Sequence, residues 1–524
     1  MNNPHRRHFL QSLTAAAAAG LLPPGLASAF AANPSVQTRP FSFDTLIERA
    51  RERAAAPYRP RTASDALSRS LAQLDYDAYQ KIRFDPQRAL WRERKGASPV
   101  GLFHQHAGAQ TSVDIHLVEN GQAHTLAYDP SVFEYTGKFQ ADDLPDDAGW
   151  AGFRVLHADQ PHDWLAFMGA SYFRSAGPLD QYGLSARGIA INTALNEEAE
   201  EFPEFTAFWL EPRDDGGILI HALMEGPSCA GAMRIDCAPP NEQNVAMDVS
   251  MRLFTRQEIR RLGVAPLTSM FWYSETNREE ATDWRPEVHD NDGLALWTGP
   301  GERIWRPLDN PKSLRTSSFA DRNPRGFGLM QRDRAFAHYQ DDGVFYERRP
   351  ALWIEPQGEW GEGFVQLVEI PTDDEIYDNI VAYWTTDRPI PAGEALNFDY
   401  RMHWMVAPVF GEPSVGHAIA SRTGRAGVPG QPRPEGGMKY SVDFTGGELA
   451  NFTSEQGIVR PVVEATHAKI DNPYALRVAG TDHWRLIFDL FPEGNGPVDV
   501  RAYLAADDQA LTETWMFTHR ERRF

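Results

Sequence analysis

The chain has 524 residues, of which 42% are hydrophobic, and a formal net charge of −21 at pH 7. This length is too great for one ordinary hydrophobic core, so we expect two domains, one of them large. An acidic surface repels nucleic acid and anionic lipid, which excludes both as expected partners, but it does not oppose an uncharged sugar.

The first 31 residues have the pattern of a twin-arginine (Tat) export signal. Arg6 and Arg7 precede an alanine-rich apolar stretch, which ends in small residues. This order of charged, apolar and small residues predicts cleavage near residues 29–32 and export to the bacterial periplasm. The stretch is too short and too weakly apolar to span a membrane, and no later stretch approaches a span. The mature protein is therefore expected to be soluble.

Helical and strand patterns separate along the chain. Residues 43–55 and 63–74 predict helices, the second with Ser64 as its N-cap. From about residue 98 the pattern changes, and two strand-like runs at 114–118 and 124–128 flank Asn120–Gly121, a strong hairpin signal. Further alternating runs at 217–223, 232–237 and 245–254 predict strands. Residues 32–410 are thus expected to form a large β-sandwich domain.

The last part of the chain predicts a smaller β domain. Residues 411–437 are rich in proline and glycine and indicate a linker or mobile loop. Short strands between turns over residues 438–524 suit an immunoglobulin-like sandwich. The two cysteines, Cys229 and Cys237, fit either a disulfide across a hairpin or two free buried thiols. No cysteine or histidine cluster has metal-ligand spacing, so no metal or cofactor is expected.

The segment 270–384 is the densest in chemistry-bearing side chains. Aromatic residues alternate there with arginine, carboxylate and amide residues. Sugar sites need flat rings for pyranose faces and planar polar groups for hydroxyls. A sandwich core with paired surface charges has the same composition, which leaves the two interpretations open. The candidate substrate-binding residues are Tyr346, Trp272, Trp305, Arg325 and Arg332.

Glycoside cleavage needs two carboxyl groups that flank the scissile bond. The segment offers many acids, and two stand out by context. Asp290 lies in a turn-forming His-Asp-Asn-Asp-Gly loop, and Asp378 immediately precedes an apolar strand pattern at 380–384. His289 could orient a neighbour, but a structural role is the better interpretation.

Several motifs in this segment resemble those of one family, the glucan biosynthesis proteins G and D, and the match is collinear over essentially the whole mature chain. These motifs are RPEVHD at 285–290, IWRPL at 304–308, NPRGFG at 323–328, YERRP at 346–350 and DNIVAYW at 378–384. The family makes osmoregulated periplasmic glucans, and the twin-arginine signal is similar to that of its D branch. The resemblance implies a galactose-mutarotase-like sandwich joined to an immunoglobulin-like domain.

The resemblance also implies action on a β-1,2-linked glucose backbone, as an inverting glucanase or a cyclising transglycosylase. The catalytic carboxylates of the family fall on Asp290 and Asp378, and its pocket tyrosine falls on Tyr346. We expect Asp378 to be the general acid and Asp290 the general base, with the reverse assignment left open. The alternative is a non-catalytic glucan-binding partner of the membrane glucan synthase, and a homodimer is left open as well.

Overall fold

The computed structural model describes residues 38–159, 162–408, 415–453 and 457–519. The predicted export signal, residues 1–31, lies outside these ranges, as do residues 411–414 of the predicted linker. In the ranges described, no helix combines the length and apolar character needed to cross a membrane.

The described chain is built mainly of strands. The helices are α1 Phe43–Ala55, α2 Asp65–Leu71, α3 Tyr76–Tyr79 and α4 Phe336–Tyr339. The first seventeen strands are β1 Arg39–Pro40, β2 Ile82–Phe84, β3 Val100–His104, β4 Asp114–Glu119, β5 Gln122–Thr125, β6 Phe133–Tyr135, β7 Trp150–Leu156, β8 Asp163–Met168, β9 Tyr172–Ser175, β10 Ser185–Arg187, β11 Ile189–Ile191, β12 Glu204–Pro212, β13 Ile218–Glu225, β14 Cys229–Cys237, β15 Asn244–Thr255, β16 Leu262–Ser269 and β17 Phe271–Tyr273. The others are β18 Val288–His289, β19 Gly293–Trp297, β20 Arg303–Pro307, β21 Arg315–Arg322, β22 Gly326–Met330, β23 Ala351–Gln357, β24 Glu362–Glu369, β25 Ile380–Thr386, β26 Ala395–Met405, β27 His417–Arg425, β28 Met438–Thr445, β29 Val459–Ala465, β30 Ala468–Arg477, β31 Trp484–Pro492, β32 Val498–Ala506, β33 Gln509–Ala510 and β34 Thr514–His519.

The locally encoded elements form as their sequences predict. Helix α1 has the expected bounds, and helix α2 begins after Ser64, whose side chain accepts from the amide of Leu67 at 3.1 Å. Asn120 and Gly121 join β4 to β5 with φ values of 51° and 71°. Positive φ at both central residues is what a type I′ turn requires, so the predicted hairpin is confirmed.

Two large sheets pack face to face and enclose the main core. A 16-stranded sheet runs in the order β1-β5-β4-β12-β13-β14-β15-β26-β23-β22-β19-β20-β34-β32-β29, and β33 pairs with β32. A 10-stranded sheet runs β21-β24-β25-β16-β10-β9-β8-β7-β3, and β11 pairs with β16. Phe153 of the second sheet contacts Phe208 of the first with ring centroids 5.0 Å apart. The predicted mainly β fold with sandwich packing is confirmed, whereas the galactose-mutarotase-like and immunoglobulin-like types stay predictions.

The C-terminal strands continue the larger sheet and cover a second core. Strand β34 runs parallel to β20, with Trp305 opposite Trp515. A 4-stranded sheet, β27-β28-β31-β30, packs against this extension, where Tyr440 contacts Trp515 with ring centroids 5.8 Å apart. The N- and C-terminal parts of the chain therefore share one continuous sheet.

The predicted linker at 411–437 differs from the structure. Residues 417–425 form strand β27, which pairs along β28, so this part is not an irregular segment. Strand β27 lies at the edge of its sheet and buries only Ala418 and Ser421, which explains its weakly apolar sequence. The glycine- and proline-rich residues 426–437 form the connection to β28 instead.

Cys229 and Cys237 are both free and buried. They occupy the two ends of strand β14, so about 26 Å of extended chain separates them. A disulfide between them is therefore excluded by geometry, and the free-thiol alternative is the correct one. Burial raises the pKa of the Cys229 thiol, which keeps it protonated and unreactive.

Candidate functional site

The site is built on a short ribbon of β17 and β18, which follows β16. Phe271 pairs with His289 across this ribbon, and the amide of Asp290 then donates to the carbonyl of Met270 at 2.9 Å. These contacts fix Asp290 at the end of the ribbon, where it is only 3% exposed. A carboxylate so deeply buried needs a partner.

Asn379 ties the segment that carries Asp378 to the same ribbon. The side-chain oxygen of Asn379 accepts from the amide of Phe271 at 2.8 Å, and its side-chain nitrogen donates to the carbonyl of Phe271 at 2.9 Å. Its backbone amide donates to the carbonyl of Ser269 at 3.1 Å. Since Asp378 directly precedes Asn379, its backbone is held beside Phe271, with its side chain half-buried.

Asn291 anchors the segment that carries Asp290 in a parallel way. The hydroxyl of Ser269 donates to the side-chain oxygen of Asn291 at 2.7 Å, and the Asn291 side chain donates to the carbonyl of Pro350 at 3.3 Å. Each candidate carboxylate thus belongs to an Asp-Asn pair whose asparagine is bound to the chain at residues 269–271. The two carboxylates come from segments 88 residues apart, and this shared anchor is what brings their backbones together.

A chain of ion pairs extends from Asp290 into the loop that precedes Asp378. Arg349 forms a salt bridge with Asp290, and its guanidinium lies 4.1 Å from the ring centre of Tyr346. The hydroxyl of Tyr346 donates to Glu375. We call the connected set the acid–arginine network; its members are Asp290, Arg349, Tyr346, Glu375, Arg285, Asp341 and Asp283.

Arg285 holds the far end of this network. It binds both oxygens of Glu375, at 2.9 and 3.0 Å, and donates to Asp341 at 2.7 Å. Burial alone would lower the pKa of Arg285, but the hydrogen bonds that it donates to Asp283, Glu375 and Asp341 raise it by more. Bidentate contacts of this kind fix orientation as well as charge. The loop at 371–379 is therefore held rigidly over the ribbon.

The surroundings of Arg349 and Tyr346 keep both side chains protonated. Burial lowers the pKa of Arg349, but Asp290 and Tyr346 raise it by more, so the guanidinium stays charged. Burial and the neighbouring Glu375 raise the pKa of Tyr346, although Arg349 opposes them. The tyrosine therefore stays protonated and acts as a hydrogen-bond donor.

A second acidic cluster lies beside His289. Burial, together with Asp333, raises the pKa of Glu287 to about 7. The Nε2 atom of His289 lies 3.1 Å from Glu287, and burial lowers the pKa of His289 below its ordinary value. Ligand atoms of Glu287, Asp333 and His338 lie within 4.8 Å of one another and could hold a divalent cation. Fully buried His289 packs between Phe271 and Tyr339, which fits the structural role expected from the sequence.

The other sequence-predicted site residues fall in two places. Tyr346 is a member of the acid–arginine network, and Trp272 lies half-buried on β17, packed against the cluster that contains Tyr346. Trp305 and Arg332 lie elsewhere. Trp305 is buried in the second core, and the guanidinium of Arg332 stacks on its ring at 3.7 Å.

Arg332 and Arg325 form their side-chain contacts with residues outside the acid–arginine network. Arg332 binds Glu513 at 2.5 Å and the carbonyl of Ala418 at 2.8 Å, so it joins the C-terminal strands to β22. Arg325 is exposed beside Trp297 at the opposite end of β22, about 17 Å of strand from the end that leads to Arg332.

Sequence reasoning gave no role to the two buried arginines, Arg285 and Arg349, nor to the anchoring asparagines, Asn291 and Asn379. Each arginine directly precedes a proline within a family-like motif, and each asparagine directly follows a candidate carboxylate. These adjacencies were the available signal. Glu375 was one of many acids in the segment, and only the contacts with Tyr346 and Arg285 distinguish it.

The family model and the relatives found by sequence agree on one family. The family model described as "Periplasmic glucan biosynthesis protein, MdoG" matches residues 41–519. The chain is 45% identical to glucans biosynthesis protein D 2 of Ralstonia nicotianae, over 98% of this chain and 97% of the relative. It is also 45% identical to glucans biosynthesis protein D of Stenotrophomonas maltophilia, with the same coverage. A solved α-galactosidase, AgaA of Geobacillus stearothermophilus, matches 42% of this chain and 30% of its own with a TM-score of 0.24 and 8% identity, too low to support any argument.

Proposed function

The chain belongs to the periplasmic glucan biosynthesis protein family, and from this premise we propose that it acts on β-1,2-linked glucan as an inverting enzyme. The observation that carries the proposal is the pair of carboxylates, Asp290 and Asp378, on two Asp-Asn segments that are both anchored to residues 269–271. Inverting cleavage needs one carboxyl group to donate a proton and another to accept one.

The two carboxylates have different surroundings, which supports different roles. Asp290 is buried and forms a salt bridge with Arg349, as an ionised carboxylate does, so it suits the general base. Asp378 is half-buried at the end of a loop, where a glycosidic oxygen can approach it, so it suits the general acid.

The proposed reaction balances protons between these two groups. Asp378 gives its proton to the glycosidic oxygen as the bond to the anomeric carbon breaks. A hydroxyl group attacks that carbon from the opposite face, and its proton passes to Asp290 directly or through ordered water. When water supplies the hydroxyl, the product is a shorter linear chain; when the sugar chain supplies it, the product is a ring.

Apart from Asp290, the members of the network position the catalytic groups and take no part in bond cleavage. Tyr346 and Glu375 connect Arg349 to the loop that carries Asp378, so a shift of that loop is opposed by the ion pair on Asp290. Rigid support of this kind is needed because small misplacements of catalytic groups are costly in rate.

The test is turnover of purified linear β-1,2-glucan by the mature protein and by Asp378→Asn. Asparagine keeps the shape but cannot donate the proton in the same way, so we expect a loss of at least about 10²-fold in turnover with binding retained. Asp373→Asn is a matched control, because Asp373 is an exposed carboxylate in the same loop. Near-wild-type turnover by Asp378→Asn would refute the catalytic assignment.

Product analysis separates the remaining alternatives. An inverting enzyme acting on a β linkage releases the α anomer first, which proton NMR detects before mutarotation. Chromatography then separates linear from cyclic products. An unmutated protein that binds the glucan and never cleaves it would instead support a non-catalytic partner of the membrane glucan synthase.

We also propose that the chain reaches the periplasm through the Tat pathway. The support is the Arg6-Arg7 pair, together with the family description. Replacing both arginines by lysine should leave the precursor in the cytoplasm, as seen by cell fractionation. Normal processing of the unmutated chain in a strain that lacks Tat would contradict this proposal.

A further inference from the structure

Trp284 is the most exposed of the large apolar side chains described, with 72% of its surface open to solvent. A lone exposed aromatic residue is ordinary on protein surfaces and needs no explanation. The position of Trp284 is what makes it informative, because it directly precedes Arg285 of the acid–arginine network.

The backbone on both sides of Trp284 is fixed. Asp283 accepts from the backbone amide and from the Nε atom of Arg285, at 2.9 and 3.0 Å. The buried hydroxyl of Tyr273 donates to the carbonyl of Arg285 at 3.1 Å. The exposed indole is therefore held by an ordered turn, and its exposure does not come from a frayed segment.

Two other exposed apolar side chains lie near members of the same network along the chain. Ile376, which is 42% exposed, directly follows Glu375, and Glu375 forms the bidentate pair with Arg285. Phe336, which is 48% exposed, opens α4, the short helix that leads toward Asp341. Three separate segments thus carry exposed apolar side chains close in sequence to members of the network.

An exposed aromatic face next to hydrogen-bonding groups is an arrangement that suits a sugar chain. The faces of a glucopyranose ring carry C–H groups that pack on an indole, while its hydroxyls need polar partners. Covering the indole with a sugar ring would remove apolar surface from water, which favours binding. The indole adjoins the network and is not part of it, so the sugar it covers lies outside the reaction centre.

We propose that Trp284 is the stacking platform of an outer glucose-binding subsite at the mouth of the site. This inference rests on the proposed function and extends it. The outer subsite binds a glucose unit remote from the scissile bond, so it adds affinity for long chains and none for short ones.

The test compares Asp378→Asn with Asp378→Asn/Trp284→Ala, so that bound glucan is not consumed. Isothermal titration calorimetry would measure binding of long linear β-1,2-glucan and of the β-1,2-linked disaccharide. We expect roughly tenfold weaker binding of the long chain in the double variant, with unchanged binding of the disaccharide. Trp284→Phe in the same background should restore most of the affinity, because it keeps an aromatic face.

Tyr474→Ala is the matched control, since Tyr474 is an aromatic residue, 43% exposed, on strand β30 of the C-terminal sheet. Its affinity for both ligands should equal that of the parent. Unchanged affinity of Trp284→Ala for the long chain would overturn the inference alone, and so would equal weakening for both ligands. Failure of the Asp378→Asn parent to bind either glucan would overturn the proposed function and this inference with it.

Discussion

The salt bridge between Asp290 and Arg349 makes a quantitative prediction about folding as well as activity. Both side chains are buried, at 3% and 8% exposure. Asp290→Asn removes the negative charge and keeps the shape, so Arg349 stays buried without its main counter-charge. We therefore expect Asp290→Asn to be destabilised, in contrast to Asp378→Asn, whose side chain is only half-buried.

The size of the effect follows from the surroundings of the pair. Removing one partner of a buried ion pair costs about 3–5 kcal/mol. Here Glu375 also raises the pKa of Arg349, so part of the compensation survives the substitution. The asparagine oxygen can still accept one hydrogen bond. We therefore expect a loss at or just below the lower end of that range, about 2–3 kcal/mol of unfolding free energy.

A double-mutant cycle measures this coupling. Urea unfolding followed by tryptophan fluorescence would compare the parent with Asp290→Asn, Arg349→Met and the double variant. Methionine removes the charge and retains the apolar length, so the double variant leaves no unpaired ion. Its loss of unfolding free energy should be smaller than the sum of the two single losses by about 2 kcal/mol. Single losses that add within about 0.5 kcal/mol would refute the reasoning.

Two further predictions concern the surroundings of the site. Burial raises the pKa of the Glu287 carboxyl from 4.5 to about 7. Between these two pH values the folded protein keeps a proton that the unfolded chain releases, so the free energy of unfolding falls as pH rises from 4.5 to about 7. Glu287→Gln removes this dependence, so it should be more stable than the parent by about 3 kcal/mol at pH 8 and little different at pH 4. Unfolding midpoints measured across that pH range would show this, and a constant difference at all pH values would contradict it. Arg332→Ala leaves buried Glu513 without its cation and should cost about 3–5 kcal/mol in urea unfolding. Arg325→Ala is the control, because Arg325 is exposed, and its unfolding free energy should change by no more than about 0.5 kcal/mol. An equal loss in both variants would refute the role of Arg332 in joining the C-terminal strands to β22.

The sequence predicts those parts of the fold whose cause is local. Ser64 caps α2 because its hydroxyl reaches a free amide three residues on, and Asn120–Gly121 turns the hairpin because both residues accept positive φ. The pairing of Trp305 with Trp515 has no such local cause. It joins strands about 200 residues apart, and only packing of the completed cores selects that register.

The same distinction explains what was predicted of the site. Asp290, Asp378 and Tyr346 were identified through motifs that resemble a family. Arg349 was not, because composition does not distinguish a buried arginine from one on the surface. Arg332 lies in the same aromatic- and charge-rich segment as the candidate carboxylates, but its side chain binds Glu513. Because Glu513 lies outside that segment, the pattern of the segment could not predict this contact.

The acid–arginine network has more carboxylates than cations, and this imbalance bears on the proposed reaction. Its ion pairs join four carboxylates to two guanidinium groups; the carboxylates are Asp283, Asp290, Asp341 and Glu375. An uncharged glucan meets no repulsion there. Glycoside cleavage develops positive charge at the anomeric carbon, and fixed negative charge stabilises that transition state more than the neutral ground state. The two arginines hold the carboxylates in place without cancelling their field, so the contacts that build the site also favour its proposed chemistry.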